Sequence, residues 1–263
     1  YWTLIQDHVK FADGIPVHVP WDEIRGCDGA AMRKELESLH TAKTRVIYVN
    51  TPANPTGDML TREQLTAIAD FAKEHDLTVI ADEAYEDLIY DGEHVSIASL
   101  PGMLERTLTV YTFSKSFSMT GWRIGYVVAP PPFMEFLRKL VLNTVNGVST
   151  PTQFAALAAI THDPHFFDTI REEYRRRRDL LVNGFRNAGF KCLTPPGAFY
   201  AFPDVRERLG DDSWKAMETL LERTDITSVP GIVFGPEGEG HLRMSFSTSM
   251  EILEAAVQAL QKL

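Results

Sequence analysis

The chain has 263 residues, with 26 Lys and Arg against 36 Asp and Glu and a formal net charge of −10. At ~150 residues per domain this length fits one large domain or two, and the acidic balance argues against general nucleic-acid binding, which needs a basic face to neutralise phosphates. Two cysteines, Cys27 and Cys192, exclude a disulfide framework and fit a reducing compartment.

A membrane span is not expected either. The longest uncharged run, Leu140 to His162, has the length, but it carries Asn143, Asn146, Ser149, Thr150, Thr152 and Gln153, which hydrocarbon does not accept without partners. No basic-then-apolar leader opens the chain. Tyr1-Trp2-Thr3-Leu4 reads instead as the interior of something longer.

In chain order, Arg45 to Asn50 reads as a buried strand. A helix is expected over Thr61 to His75: Thr61 caps it, Gln64 stands at the capping-box spacing, and Leu65, Ile68, Ala69 and Ala72 line one face. Leu77 to Ala81, Leu108 to Phe113 and Ile124 to Ala129 are further strands. Continuous apolar runs alternating with a helix argue for an α/β layer with a mostly parallel sheet.

Helices are expected at Phe133 to Val145, Thr152 to Thr161 and Phe166 to Ala188, with Gly189 as the stop. The block Arg175-Arg176-Arg177-Arg178-Asp179 reads as a solvated helix face in preference to an anion site. Ala198 to Phe202, Ile226 to Val229 and His241 to Phe246 read as strands, Trp214 to Arg223 and Met250 to Leu263 as helices. This second half predicts a smaller C-terminal α/β domain, residues 166–263, following a larger one over residues 1–165.

Three loops carry candidate chemistry, each at the carboxyl end of a strand, where α/β sheets bind ligands. Asn50-Thr51-Pro52-Ala53-Asn54-Pro55-Thr56-Gly57 holds Asn54 between two stiff prolines, although a plain turn would read the same. Asp82 ends the second strand, with Glu83, Tyr85 and Glu86 close by. A carboxylate there is costly unless paired, so it is a helix cap, a metal ligand or the partner of a cation. Lys115, in Ser114-Lys115-Ser116, follows the third strand. Desolvation would lower its pKa and make it a nucleophile toward carbonyls; the alternative is a snorkelling lysine, and Arg123 alone reads as a surface arginine. Asn54, Asp82 and Lys115 would all stand on one sheet edge.

Other signals are weak. His162-Asp163-Pro164-His165 lacks a metal-site context, and Gly235 to Gly240 reads as a hairpin-like loop, not a dinucleotide loop. No G-x-S-x-G elbow occurs.

Together these segments resemble the fold-type I pyridoxal-phosphate aminotransferases of class I/II, close to prokaryotic aspartate aminotransferases. The resemblance rests on Asn50 to Gly57, on Ala81-Asp82-Glu83-Ala84-Tyr85, and on Ser114 to Gly125 with its S-K-S-F-S-M-T-G-W-R-I-G signature. Pro196-Gly197-Ala198-Phe199-Tyr200 and Leu242-Arg243-Met244-Ser245-Phe246 match two further landmarks. Thr112 departs from the usual Ser or Gly but keeps a hydroxyl.

The resemblance implies pyridoxal 5'-phosphate as cofactor, with Lys115 as the Schiff-base and proton-shuttling lysine. Asp82 would pair with the pyridine nitrogen, Asn54 and Tyr85 with the phenolic oxygen, and Thr112 and Arg123 with the phosphate. Arg243 would clamp the substrate α-carboxylate, with Asn54 beside it. Trp2 resembles the aromatic that stacks on the ring, although an exposed aromatic would read the same. An amino acid and a 2-oxo acid are the implied partners of a cytoplasmic homodimer; a carbon–sulfur lyase and a ligand-sensing module are the alternatives on this scaffold. The family also carries, ahead of the point matching Tyr1, a glycine-containing phosphate loop and residues that complete the partner's site. Residues 1–263 alone are therefore expected not to make a competent site.

Overall fold

The four strands expected in the first half form one sheet in a computed structural model of the chain, which describes residues 1–161, 163 and 165–263. Their order is β1 (Val46–Asn50), β2 (Thr78–Asp82), β3 (Thr107–Thr112) and β4 (Gly125–Val128). β1, β2 and β3 run parallel, and β4 returns antiparallel. Asn50 stands opposite Asp82 in the register, and Asp82 opposite Val110. The carboxyl ends of the three parallel strands therefore share one edge.

Ahead of the sheet come α1 (Thr3–Phe11), α2 (Trp21–Ile24) and α3 (Gly29–Leu39); α4 (Arg62–Glu74) links β1 to β2. Thr61 caps α4 as expected: its hydroxyl accepts from the Gln64 amide, and Gln64 reaches back to the Thr61 amide. Leu65, Ile68 and Phe71 of α4 join Met32 and Leu36 of α3 and Val49 and Val79 of the sheet in one buried cluster. Each such side chain contributes about 1.5–3 kcal/mol by leaving water, which holds the strand ends in place.

β3 runs directly into the single turn α5 (Phe113–Ser116), which carries Lys115. Beyond β4, α6 (Pro131–Thr144) and α7 (Thr150–Ile160) leave Phe136, Leu142 and Phe154 exposed at 72%, 65% and 68%. No helix among the described residues is long and apolar enough to cross a membrane.

The long helix α8 (Phe166–Asn187) ends where Gly189 takes φ +86°. A second, antiparallel sheet follows in the order β5 (Tyr200–Ala201), β7 (Leu242–Ser245), β6 (Val229–Pro230), flanked by α9 (Arg206–Leu209), α10 (Ser213–Thr224) and α11 (Met250–Leu260). β5 and β6 depart most from the strands expected there. Ala198 adopts a left-handed φ of +56°, which breaks the extended run before Tyr200. Ile226 gives its amide to Thr224 Oγ1, so pairing with β7 begins only at Val229. The Gly235–Gly240 stretch lies in the antiparallel connection from β6 to β7, with 3₁₀ turns at Gly231–Phe234 and Pro236–Gly238. In the His162-Asp163-Pro164-His165 motif, His162 and Pro164 lie outside the described residues, and His165 pairs with Asp168 at the surface.

In the arginine block Arg175 and Arg176 are exposed, as a solvated face requires, but Arg178 corrects that reading. Arg178 is only 4% exposed. Its guanidinium binds Asp91 and Asp179, donates to Pro195 O at 3.1 Å and lies over the Tyr90 ring. Arg175 donates to Tyr90 O. Charge density along a helix cannot tell a wet face from one that collects loop carbonyls.

Candidate active site

The Asn50–Gly57 loop is held from within. Asn50 Nδ2 donates to Asp82 O at 3.1 Å and to Pro52 O at 3.3 Å, while its Oδ1 accepts from the Asn54 amide at 2.9 Å. Gly57, at φ +72°, is required: a Cβ there would lie 2.5 Å from Pro195 Cβ and 2.7 Å from Gly197 O. Gly197 N donates to Gly57 O at 3.1 Å. The loop is thus docked on the segment leading to Phe199 and Tyr200. That docking buries Asn54 to 6% exposure and brings its Oδ1 within 3.0 Å of Arg243 Nη1.

Arg243 on β7 lies between two rings, 4.5 Å from the Tyr200 centroid and 4.9 Å from that of Phe234. These ring contacts leave the guanidinium's N–H donors available for hydrogen bonds. Tyr200 in turn shares a 3.0 Å hydrogen bond with Tyr85, both hydroxyls buried. Burial, then Tyr200, pushes the Tyr85 phenol well above its ordinary range.

Asp82 Oδ2 accepts from Tyr48 OH at 2.5 Å, and Oδ1 from the Ala84 amide at 3.2 Å. Burial holds its pKa above the usual carboxylate value, opposed by those two donors and by the charge of Lys115. A buried carboxylate served only by neutral donors calls for a cation.

Lys115 Nζ lies 5.7 Å from the Phe199 centroid and 5.8 Å from that of Tyr85. No hydrogen bond or ion pair to it occurs among the described residues. Desolvation lowers its pKa, reinforced by the positive charges of Arg243 and Arg123 and resisted by Asp82. The amine is therefore shifted toward the neutral, nucleophilic form.

Asn54, Asp82, Tyr85, Lys115 and Arg243 are connected by these contacts and fields. The expected phosphate pair is less tightly tied. Thr112 Oγ1 caps α5 by accepting from the Ser114 amide at 3.1 Å, leaving its proton free to donate. Arg123, at a left-handed φ of +54°, is exposed and donates to Thr120 O at 2.8 Å. Trp2 stands at the head of α1, edge-on to His8 at 6.0 Å; among the described residues no ring contact or hydrogen bond links it to Lys115 or Arg243. Its neighbour Tyr1 does reach this region, its backbone nitrogen donating a hydrogen bond to Phe234 O at 3.2 Å.

Tyr48, Phe234 and Tyr200 are site residues that the sequence reading does not single out. Tyr48 had one signal: it lies two residues before Asn50, so the two share a face of β1. Glu83, next to Asp82, turns away from the site. Only 2% exposed, its carboxylate lies 3.4 Å from His94 Nε2 and beside the Tyr111 hydroxyl. A cleft of about 410 Å³ between α3 and α4, lined by Gly29, Arg33, Glu63 and Asp70, holds none of these groups.

Comparison with known proteins agrees with this geometry. Residues 1–260 match the family model for class I and II aminotransferases. The chain is 42% identical over 257 residues to the aspartate aminotransferase of Pyrococcus abyssi, and 40% over 257 residues to an aromatic-amino-acid aminotransferase of Thermococcus litoralis. Each alignment covers 97% of this chain and 65% of the relative, so the chain spans about two thirds of their length. Among solved structures, a Thermus thermophilus aspartate aminotransferase double mutant superposes with a TM-score of 0.90 at 36% identity, over 100% of this chain and 68% of that one. An aromatic aminotransferase of Pyrococcus horikoshii gives 0.87 at 43% identity, over 94% and 66%. With the parallel sheet, the strand-end lysine and the five connected residues in place, the chain belongs to the class I and II aminotransferase family.

Proposed function

We propose that this chain forms the cofactor-binding and catalytic part of an aminotransferase that moves an amino group between an α-amino acid and a 2-oxo acid. The observation that carries the reading is the unpaired Lys115 amine, part-desolvated between two rings and within the fields of Asp82 and Arg243. The residues fit pyridoxal phosphate: Lys115 offers a free amine, and Asp82 a buried carboxylate in want of a cation. Lys115 would hold the group through Nζ, and Asp82 would face its ring nitrogen. Asn54 and Tyr85 would serve its phenolic oxygen, Thr112 and Arg123 its phosphate, and Trp2 its ring face. When bound, the cofactor supplies an electron sink for the bond broken at the substrate α-carbon.

The protein's share of the chemistry follows from the side chains. Arg243, packed against the Tyr200 and Phe234 rings, would bind the substrate α-carboxylate with paired donors. Asn54 fixes the guanidinium rotation through its 3.0 Å bond. Lys115, with its lowered pKa, would take the proton from the substrate α-carbon at Nζ and later give it up again, acting first as general base and then as general acid. Tyr48 keeps the Asp82 carboxylate turned toward the site.

We further assign residues 1–165 to a large cofactor-binding domain and residues 166–263 to a small one, in a cytoplasmic homodimer. The two unpaired cysteines and the apolar residues exposed on α6 and α7 support that setting. The test is a panel of amino donors, with aspartate and aromatic amino acids included, and 2-oxo acceptors on the intact gene product. Amino transfer from at least one donor, with matching 2-oxo acid release, is expected. Elimination of the side chain without amino transfer, or cofactor binding with no turnover on any donor, would contradict the reading.

A further inference from the structure

The far edge of the sheet carries a second constellation. β2 is five residues long, so its first and last residues stand about 13 Å apart at the usual rise per residue. Asp82 closes the carboxyl end; α4 delivers His75 just ahead of the other. There His75 is the C-terminal cap of α4, His40 is the C-terminal cap of α3, and Glu37 belongs to the last turn of α3. One ligand atom from each of Glu37, His40 and His75 lies within 4.8 Å of the other two. The imidazoles are 4.0 Å apart, ring centre to ring centre, inclined at 36°, and both pack against Phe71.

We infer that Glu37, His40 and His75 form a binding site for one divalent ion of the zinc class, separate from the Lys115 site. Two imidazoles and one carboxylate are a donor set that zinc accepts, with a fourth position left to water. Tetrahedral coordination at ~2.0–2.1 Å places ligand atoms roughly 3.3 Å apart. The side chains would therefore close by at most about 1.5 Å, within the reach of χ adjustments at a surface. His75 Nε2 already stands 3.2 Å from Glu37 Oε1. Neither ring nitrogen of His40, nor Glu37 Oε2, has a hydrogen bond among the described residues, so these ligand atoms are not committed elsewhere.

The field also favours a cation. Both histidines cap helix C-termini, where the unsatisfied carbonyls of α3 and α4 carry partial negative charge. Arg33 opposes this, since its guanidinium lies 2.5 Å from both Glu37 Oε1 and Glu74 Oε2. Two carboxylates against one guanidinium still leave a formal charge of 1 − 2 = −1 with neutral imidazoles. A bound ion would tie the ends of α3 and α4 together, because its ligands come from both.

The test uses the purified intact gene product after chelator treatment. Cobalt(II) is titrated as a spectroscopic probe and then displaced with zinc, and thermal unfolding is followed with and without zinc. One cobalt per chain is expected, with the visible ligand-field bands of a nitrogen- and oxygen-bound ion, and zinc should raise the unfolding midpoint. His40→Ala, His75→Ala and Glu37→Gln should each weaken binding by roughly tenfold or more, since even outer-shell changes cost 10–100-fold. His165→Ala, at an exposed histidine away from the cluster, should bind like the parent. Unfolding of the metal-free variants reads folding separately from binding. If cobalt binding is absent, or is unchanged in both His40→Ala and His75→Ala, the site does not exist.

Discussion

Arg243 Nη1 donates to Asn54 Oδ1 at 3.0 Å, a bond between residues 189 positions apart. It joins the second sheet to the loop that leaves β1, so the proposed carboxylate clamp and the proposed cofactor contact are oriented by each other. An arginine can keep this bond, keep its stacking on Tyr200 and still present further donors, because its five N–H groups point in fixed directions.

Arg243→Lys should therefore impair substrate recognition although the charge is retained. The loss of paired, charge-assisted hydrogen bonds is worth about 1.5–3 kcal/mol, or roughly 10–100-fold in kcat/KM. Steady-state kinetics with a 2-oxo acid should show most of this in KM. An unchanged KM would remove Arg243 from the carboxylate site.

Tyr48→Phe removes one neutral donor from Asp82 and leaves the ring packing. The bond lost is 2.5 Å long and shielded from water, so an effect of about 1–2 kcal/mol on the transition state is expected, with little change in thermal stability. Equal losses in kcat and in unfolding free energy would make Tyr48 a packing residue only.

Glu86 gives a stability test with a definite sign. Burial, then Asp87 and Glu83, pushes its carboxyl up to about 8. The folded state thus holds a proton that the unfolded chain releases near the ordinary value of about 4.3. The folded state binds more protons in that window, so this group's contribution is intact below pH ~4.3 and falls as pH rises toward 8. Glu86→Gln should be near neutral at pH 4.5 and stabilising at pH 8.5. The gain should be on the order of 1 kcal/mol, allowing for the solvent that still reaches the side chain. Denaturant midpoints at the two pH values measure it; a gain independent of pH would contradict the burial account.

Arg178→Ala should destabilise the chain by about 2–3 kcal/mol. The change strips Pro195 O of a buried donor, leaves Asp91 without its guanidinium and removes the packing over Tyr90. Arg176→Ala, at a more exposed arginine two residues away, should stay within about 0.5 kcal/mol. Urea unfolding of the two variants separates them.

What was legible in the sequence followed a local code. The α4 capping box needs only Thr61 and Gln64 three positions apart, and the strands show as apolar runs. Asn54, Asp82 and Lys115 could be placed on one edge because parallel strands put every carboxyl end on the same side. What escaped depends on contacts distant in the chain. The Tyr85–Tyr200 bond spans 115 positions, and no period encodes it. Arg178 looks like its neighbours in sequence, yet the Pro195 carbonyl decides its burial. Ala198 carries a left-handed φ that its residue type does not announce, which is why β5 is two residues long rather than five. The Glu37–His40–His75 cluster was equally silent, because it forms where two helices end together.

The role of Lys115 can be read chemically. The intact gene product, loaded with pyridoxal phosphate, is reduced with borohydride and digested, and the peptides are read by mass spectrometry. A phosphopyridoxyl group is expected on Lys115 alone, lost in Lys115→Ala together with multiple turnover, while some cofactor still binds through the remaining contacts. Label on another lysine, or near-normal turnover by Lys115→Ala, would contradict that role.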